Sequence, residues 1–277
     1  MLKLMYITND PEIAVIAENA GVDRIFIDME YIGKDIRQGG MDTVQCHHTI
    51  EDVKKIRKAV SKAQIMVRVN PLHNATDDYC SSEEEINAVI EAGADLIMLP
   101  YFHNAKDINE FVKIVNGRAK VFPLLESKDA LENIDEILEV RGIDEIHIGL
   151  NDLSLDLKKK FMFEILADGT IDMLCEKFSS KGIPYGFGGI GRLGKGELPA
   201  DYIIKEHYRL KSDCAILSRS FCNTNLVTDY NEVARLFTEG IDEIRALERE
   251  CLIKSRKYFD DNKIKVKQIV DKIVNKK

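Results

Sequence analysis

Two apolar runs in VFPLLESKDALENIDEILEVRGIDEIHIGLNDLSLDL, residues 121–157, each stop at a carboxylate, Glu126 in the first and Asp152 in the second. Arg68 stands near the end of another such run, IMVRVN at 65–70. Carboxylates delivered to the same height by adjacent strands can converge on a hard divalent cation, because Mg²⁺ takes one or two of them and keeps the rest of its octahedron for water and substrate. A guanidinium beside them can hold a substrate carboxylate through two parallel hydrogen bonds. Each residue also has a structural use. Glu126 and Asp152 stand where helix caps stand, and Arg68 has Asp28 and Glu30, at the end of RIFIDME, as ion-pair partners.

The elements that must position these groups are legible as an alternation. Strand-like runs at 2–8, 24–30, 65–70, 96–102, 120–127, 145–152, 183–189 and 214–221 are separated by segments of helical period such as PEIAVIAENAG, TIEDVKKIRKAV and AKDINEFVKIVN. Eight buried strands interleaved with helices predict a parallel sheet closed into a (β/α)8 TIM barrel, whose functional residues lie at the C-terminal strand ends. Those ends carry Asp28, Glu30, Arg68, Asn70, Glu126, Asp152, Arg219 and Ser220.

A chain of 277 residues, 45% hydrophobic, is expected to form one barrel domain over 1–237, with a C-terminal helical extension over 238–277. The net charge of −8, without a basic stripe, argues against nucleic acid as partner. No apolar run approaches the ~20 residues of a membrane span, and the N-terminal segment meets Asn9 and Asp10 before a signal-like core develops. A cytoplasmic protein with a small-molecule partner is the expectation. The six cysteines lack metal-type spacing and are read as free thiols. His147 is read as a packed strand histidine, and His73, His103 and His207 as lacking ligand spacing.

The metal-type block with Glu126 and Asp152 resembles that of the HpcH/HpaI aldolase and citrate lyase β-subunit family. The resemblance extends through AENAGVDRIFIDME, IMVRVNP and VIEAGADLIMLPYFHNAKDINEFVKIV, covering about residues 10–157 well and the rest loosely. It implies a (β/α)8 barrel that binds Mg²⁺ or Mn²⁺ through Glu126 and Asp152. It also implies a 2-oxo acid or its enolate held by Arg68, reversible carbon–carbon cleavage, and a homo-oligomer assembled through an exchanged C-terminal helix. Asn151, beside Asp152 in NDLS, joins the substrate-binding candidates.

Two departures from the family pattern bear on mechanism. Tyr31 follows IDME where the aldolases of the family usually have a histidine of the proton-transfer machinery. A tyrosine of ordinary pKa is a poor base at neutral pH but can donate to an oxyanion. The polar stretch after it, IGKDIRQGGMDTVQCHHTIEDV, contains His47 and His48, which could supply a base from another direction or simply be solvated loop residues. The second departure, GFGGIGRLGKGELPAD at 186–201, puts Arg192 and Lys195 among glycines after the seventh strand, where barrels often bind phosphate. With Arg219 it reads either as a seat for an anionic second substrate or as a lid with solvated charges.

Beyond the eighth strand, Val266, Ile269, Val270, Ile273 and Val274 form an apolar helical stripe, covered by another subunit or by the chain's own barrel. The function expected is a metal-dependent carbon–carbon lyase of the aldolase type. The alternatives are a citrate-lyase-like acyl-CoA lyase or phosphoenolpyruvate-type lyase, or a barrel that binds or regulates without catalysis.

Overall fold

A computed structural model describes residues 1–33 and 46–276. Eight strands, β1 (Lys3–Ile7), β2 (Arg24–Asp28), β3 (Gln64–Arg68), β4 (Leu96–Leu99), β5 (Lys120–Leu125), β6 (Ile146–Ile148), β7 (Tyr185–Ile190) and β8 (Cys214–Leu217), pair in parallel and in chain order. β1 closes on β8, so the sheet is the expected (β/α)8 barrel.

Helices fill the crossovers. They are α1 (Pro11–Ala20), α2 (Ile50–Ala59), α3 (Ser82–Glu91), α4 (Ala105–Val115), α5 (Lys128–Glu132), α6 (Ile134–Ile137) and α7 (Leu150–Asp156). After them come α8 (Glu164–Ala167), α9 (Thr170–Lys181), α10 (Ala200–Arg209), α11 (Tyr230–Leu252) and α12 (Arg256–Val274). Asp10, Thr49, Ser81, Asn104 and Ser127 accept hydrogen bonds from first-turn N–H groups, which is why the helices begin there.

Alternation along the strands decides which residues reach the mouth. Met5, Phe26, Met66, Leu96, Met98, Phe122, Leu124 and Cys214 pack together inside the barrel, while Ile25, Ile27, Ile65, Val67, Ile97 and Leu99 join the outer layer under the helices. Side chains two residues further on share the inner face. Asp28 therefore follows Phe26, Arg68 follows Met66 and Glu126 follows Leu124. At the opposite end the buried Arg24 binds Glu145 at 2.6 Å and lies over the Phe122 ring at 5.5 Å, sealing the barrel floor.

Three expectations need adjusting. The sixth strand ends at Ile148, and Asp152 lies in the first turn of α7 rather than at a strand end, because the chain turns into helix after Gly149. The cap reading also fails: Ser127 caps α5 and Gly149 precedes α7, so neither Glu126 nor Asp152 is an N-cap. The expected domain boundary at 237/238 falls inside α11, which is unbroken from Tyr230 to Leu252; its Phe237 is fully buried, edge-on to Tyr6 and Phe221. The chain turns at 253–255 instead, and α12 then lies across α10 and α8 of the same chain with Val266 and Val270 buried. Ile269, Ile273 and Val274 of the same stripe are partly buried against the core. Among the described residues no helix is long and apolar enough to cross a membrane.

Candidate active site at the barrel mouth

Arg68 is held by the acids of the neighbouring strand. Its Nε and one terminal nitrogen donate to the two oxygens of Asp28, both at 2.8 Å, and its other terminal nitrogen lies 3.2 Å from Glu30. The Phe26 ring lies beneath the guanidinium, 5.6 Å from its centre. Burial works against the charge, but Asp28, Glu30 and also Glu126 outweigh it and hold the Arg68 pKa well above its ordinary value. The ion-pair reading of Arg68 is thus realised, yet the residue still lines two cavities, of about 550 and 610 Å³, on either side of it. Each terminal nitrogen of a guanidinium carries two N–H groups, so pairing with Asp28 and Glu30 leaves donors for a ligand.

Glu126 and Asp152 both line the first cavity together with Arg68 and Asn151. Glu126 is buried and accepts a hydrogen bond of 3.1 Å from the Tyr101 N–H. Tyr101 holds a left-handed φ of +48°, an uncommon conformation for a bulky residue and one found where a site dictates the backbone. Gly149 makes room on the other side, since a Cβ there would stand 2.8 Å from Glu126 Oε2. Among the described residues no group of three or more His, Cys, Asp or Glu side chains forms a metal cluster. Two hard carboxylates beside open space fit the sparse protein shell of Mg²⁺ or Mn²⁺ and do not fit a zinc site of nitrogen and sulfur ligands.

The second cavity contains His47 and His48 with Asp28 and Arg68. His48 is buried, and its Nδ1 accepts the Asp28 backbone N–H at 3.0 Å, so any proton on the neutral ring sits on Nε2. The Tyr31 hydroxyl donates to the His48 carbonyl, and the Tyr31 ring stacks on His47 with centroids 5.7 Å apart. Burial, followed by the charges of Asp28 and Asp52, pushes the Tyr31 pKa up to about 12, which removes it as a base at neutral pH. Asn70, buried beneath, accepts the N–H groups of Tyr31 and Ile32 at 2.8 Å each and donates to Glu85 at 2.9 Å. Sequence reasoning did not reach this clamp or Tyr101. Asn70 at a strand end was a signal for the first; nothing local marked the second. Residues 34–45 of the stretch that carries the histidines lie outside the described residues.

The remaining candidates divide. Arg219 lines both cavities, and Asn151 lines the first. Arg192 is turned away from them: it donates to the Leu236 carbonyl of α11 at 2.8 Å and pairs with Glu243 at 3.4 Å, so the expectation of a substrate contact gives way to a tie between the β7 loop and α11. Lys195 takes the cavity position instead. His147 is packed inside the barrel as expected, bonded to the Gly188 carbonyl at 3.2 Å, and burial lowers its pKa to about 4.

A model of the family described as HpcH/HpaI aldolase/citrate lyase matches residues 3–164. The chain is 23% identical over 160 residues to the hydroxypyruvate/pyruvate aldolase of Roseovarius nubinhibens, covering 53% of this chain and 61% of that one. It is 27% identical over 174 residues to the 2-keto-3-deoxy-L-rhamnonate aldolase of Escherichia coli K12, covering 52% and 57%. The chain thus spans about three fifths of the length of these two curated relatives. The crystal structure of an HpcH/HpaI aldolase from Desulfitobacterium hafniense DCB-2 shares the fold, with a TM-score of 0.58, 15% identity and coverage of 82% of this chain and 92% of that one.

Proposed function

The chain belongs to the HpcH/HpaI aldolase/citrate lyase family, and from that premise we propose that it is a divalent-metal-dependent carbon–carbon lyase acting on a 2-oxo acid through its enolate. The observation that carries this reading is the meeting of Arg68, Glu126 and Asp152 in one cavity at the C-terminal end of the barrel. Glu126 and Asp152 would hold Mg²⁺ or Mn²⁺, and such a cation, when bound, neutralises charge that develops on the enolate oxygen.

The chain's own groups account for the rest. Arg68, fixed by Asp28 and Glu30, presents its remaining N–H groups to the carboxylate or keto oxygen of the substrate. In the cleavage direction a base removes the proton of the hydroxyl β to the keto carbonyl. The O–H electron pair becomes the new aldehyde C=O, the carbon–carbon bond breaks, and its electrons move to the keto oxygen. Protonation of the enolate carbon completes the reaction. His48, with Nδ1 occupied by the Asp28 N–H, offers its Nε2–H on a ring that borders the second cavity, and it would orient the water that takes the hydroxyl proton. Tyr31 positions this histidine through the hydroxyl bond to its carbonyl.

The test is exchange of the pyruvate methyl protons with solvent, followed by NMR in D₂O with Mn²⁺ or Mg²⁺. Metal-dependent exchange is expected; its absence from metal-loaded protein would refute the enolate chemistry.

A further inference from the structure

Charge is segregated along the first cavity. On the side of β5 and β6 the cavity is lined by the carboxylates Glu126 and Asp152, whereas the end formed by β7 and β8 holds Lys195 and Arg219 with the hydroxyls of Ser218 and Ser220, beside one acid, Glu197. We propose that this second end binds the phosphate group of a phosphorylated substrate, whose reacting end lies toward Glu126 and Asp152. The assignment of the reacting end rests on the lyase reading above; the phosphate seat itself does not.

The seat is built by the close approach of two strand ends. The Ser218 N–H donates to the Ile190 carbonyl at 2.8 Å, which fixes the end of β8 beside the glycines of β7. A Cβ at Gly191 would stand 2.4 Å from Ser220 Oγ, so only glycine leaves the backbone bare beside the hydroxyls. Ser218 Oγ and Ser220 Oγ are 2.8 Å apart. Each hydroxyl owns one proton, and one proton is used between them, so the pair keeps an O–H to donate outward. An ammonium from the β7 loop, a guanidinium from the end of β8 and this hydroxyl are three different donors around one space. They match the three terminal oxygens of a phosphate monoester better than the two of a carboxylate. The loops after the seventh and eighth strands are also where this fold commonly seats phosphate. Arg192, the cation most obvious in the sequence, takes no part because it is bonded to α11.

Calorimetry with inorganic phosphate and with acetate, on the full chain in chelator so that no metal bridges the anion, tests the seat. Phosphate should bind at least about tenfold more tightly than acetate, and Arg219→Gln, Ser220→Ala and, at the exposed Lys195, Lys195→Met should each weaken it by about tenfold. Thermal melts of each variant establish that it is folded. Equal binding of phosphate and acetate, or phosphate affinity unchanged in all three folded variants, would overturn the proposal. A kinetic arm uses pyruvate with glyceraldehyde 3-phosphate or glyceraldehyde as acceptor. The phosphorylated acceptor should have the higher kcat/KM, and the advantage should collapse in Arg219→Gln; equal values for the two acceptors count against the seat. Pyruvate exchange separates the two readings. Exchange without phosphate binding overturns the seat and keeps the lyase, whereas phosphate binding without exchange overturns the lyase and keeps the seat.

Discussion

Arg68 and Asp28 stand directly across from each other on β3 and β2 and share two parallel hydrogen bonds of 2.8 Å, with the Asp28 side chain almost wholly buried. The pair fixes the guanidinium plane before any substrate arrives. Arg68→Lys keeps the charge but cannot form the fork, so pyruvate exchange should fall by about 10²-fold, the scale of an ångström-level misplacement. Arg68→Met takes the two-bond partner from the buried Asp28 and an ion-pair partner from the buried Glu30, and unfolding by denaturant should show a loss of up to about 3–5 kcal/mol. A lysine variant with wild-type exchange would show that the fork has no role.

The carboxylate pair makes a separate prediction. Glu126→Gln and Asp152→Asn remove a charge while nearly preserving shape, so each should weaken Mn²⁺ binding by more than the roughly 10–100-fold that loss of an outer-shell partner costs. Glu126→Gln should still accept the Tyr101 N–H through its amide oxygen, and its melting temperature should stay close to that of the wild type. Unchanged Mn²⁺ affinity by calorimetry in both variants would remove these residues as ligands.

The adjacent histidines separate by environment. His48 is buried with Nδ1 engaged, while His47 is exposed and stacked on Tyr31. His48→Ala, which removes the Nε2–H that orients the water, should therefore lower exchange by about 10²-fold, and His47→Ala by well under that. Tyr31→Phe keeps the ring and loses only the bond to the His48 carbonyl, so its effect should fall between the two. The reverse ranking, with His47→Ala the worst, would move that role to His47.

What the sequence made legible follows from periodicity. Asp28, Arg68 and Glu126 continue the inner-facing alternation of Phe26, Met66 and Leu124, so their place at the mouth can be read two residues at a time. Asp152 is one helical turn beyond its strand, so the strand-end pattern paired it with Glu126 but put it on the wrong element. Arg192 was misplaced because its partners, Leu236 and Glu243, lie more than forty residues away on a helix whose position no local pattern gives. The same helix hid the end of the barrel: the length of chain beyond the eighth strand suggested a boundary at 237/238, but α11 passes through it without a break. Tyr101 was invisible since its left-handed backbone suits glycine or asparagine, and only the tertiary contact with Glu126 accounts for a tyrosine there.

The last prediction concerns acid stability. His207 is fully buried, stacked flat on Phe187 at 3.9 Å, with Nδ1 2.9 Å from Ser212 Oγ and Nε2 without a hydrogen-bond partner among the described residues. Burial first, and then the charge of His147, lower its pKa from 6.5 to about 3, while burial lowers that of His147 to about 4. In the unfolded chain both would take up a proton near pH 6.5, so between that pH and the folded values the unfolded state binds more protons and stability rises with pH. The contribution of each histidine is present above about pH 6.5 and is lost as pH falls toward 4, on the order of 2–3 kcal/mol apiece. Glu85 works in the opposite direction: burial raises its pKa to about 6, so it favours the folded state more at pH 4.5 than at pH 6 and partly masks the loss. A difference measurement removes that background. His207→Gln puts a non-titrating amide beside Ser212, so its stability relative to wild type should improve steadily from pH 7 to pH 4.5 in denaturant titrations. A difference that stays constant with pH would mean that His207 takes up its proton equally in both states, contrary to its burial against Phe187.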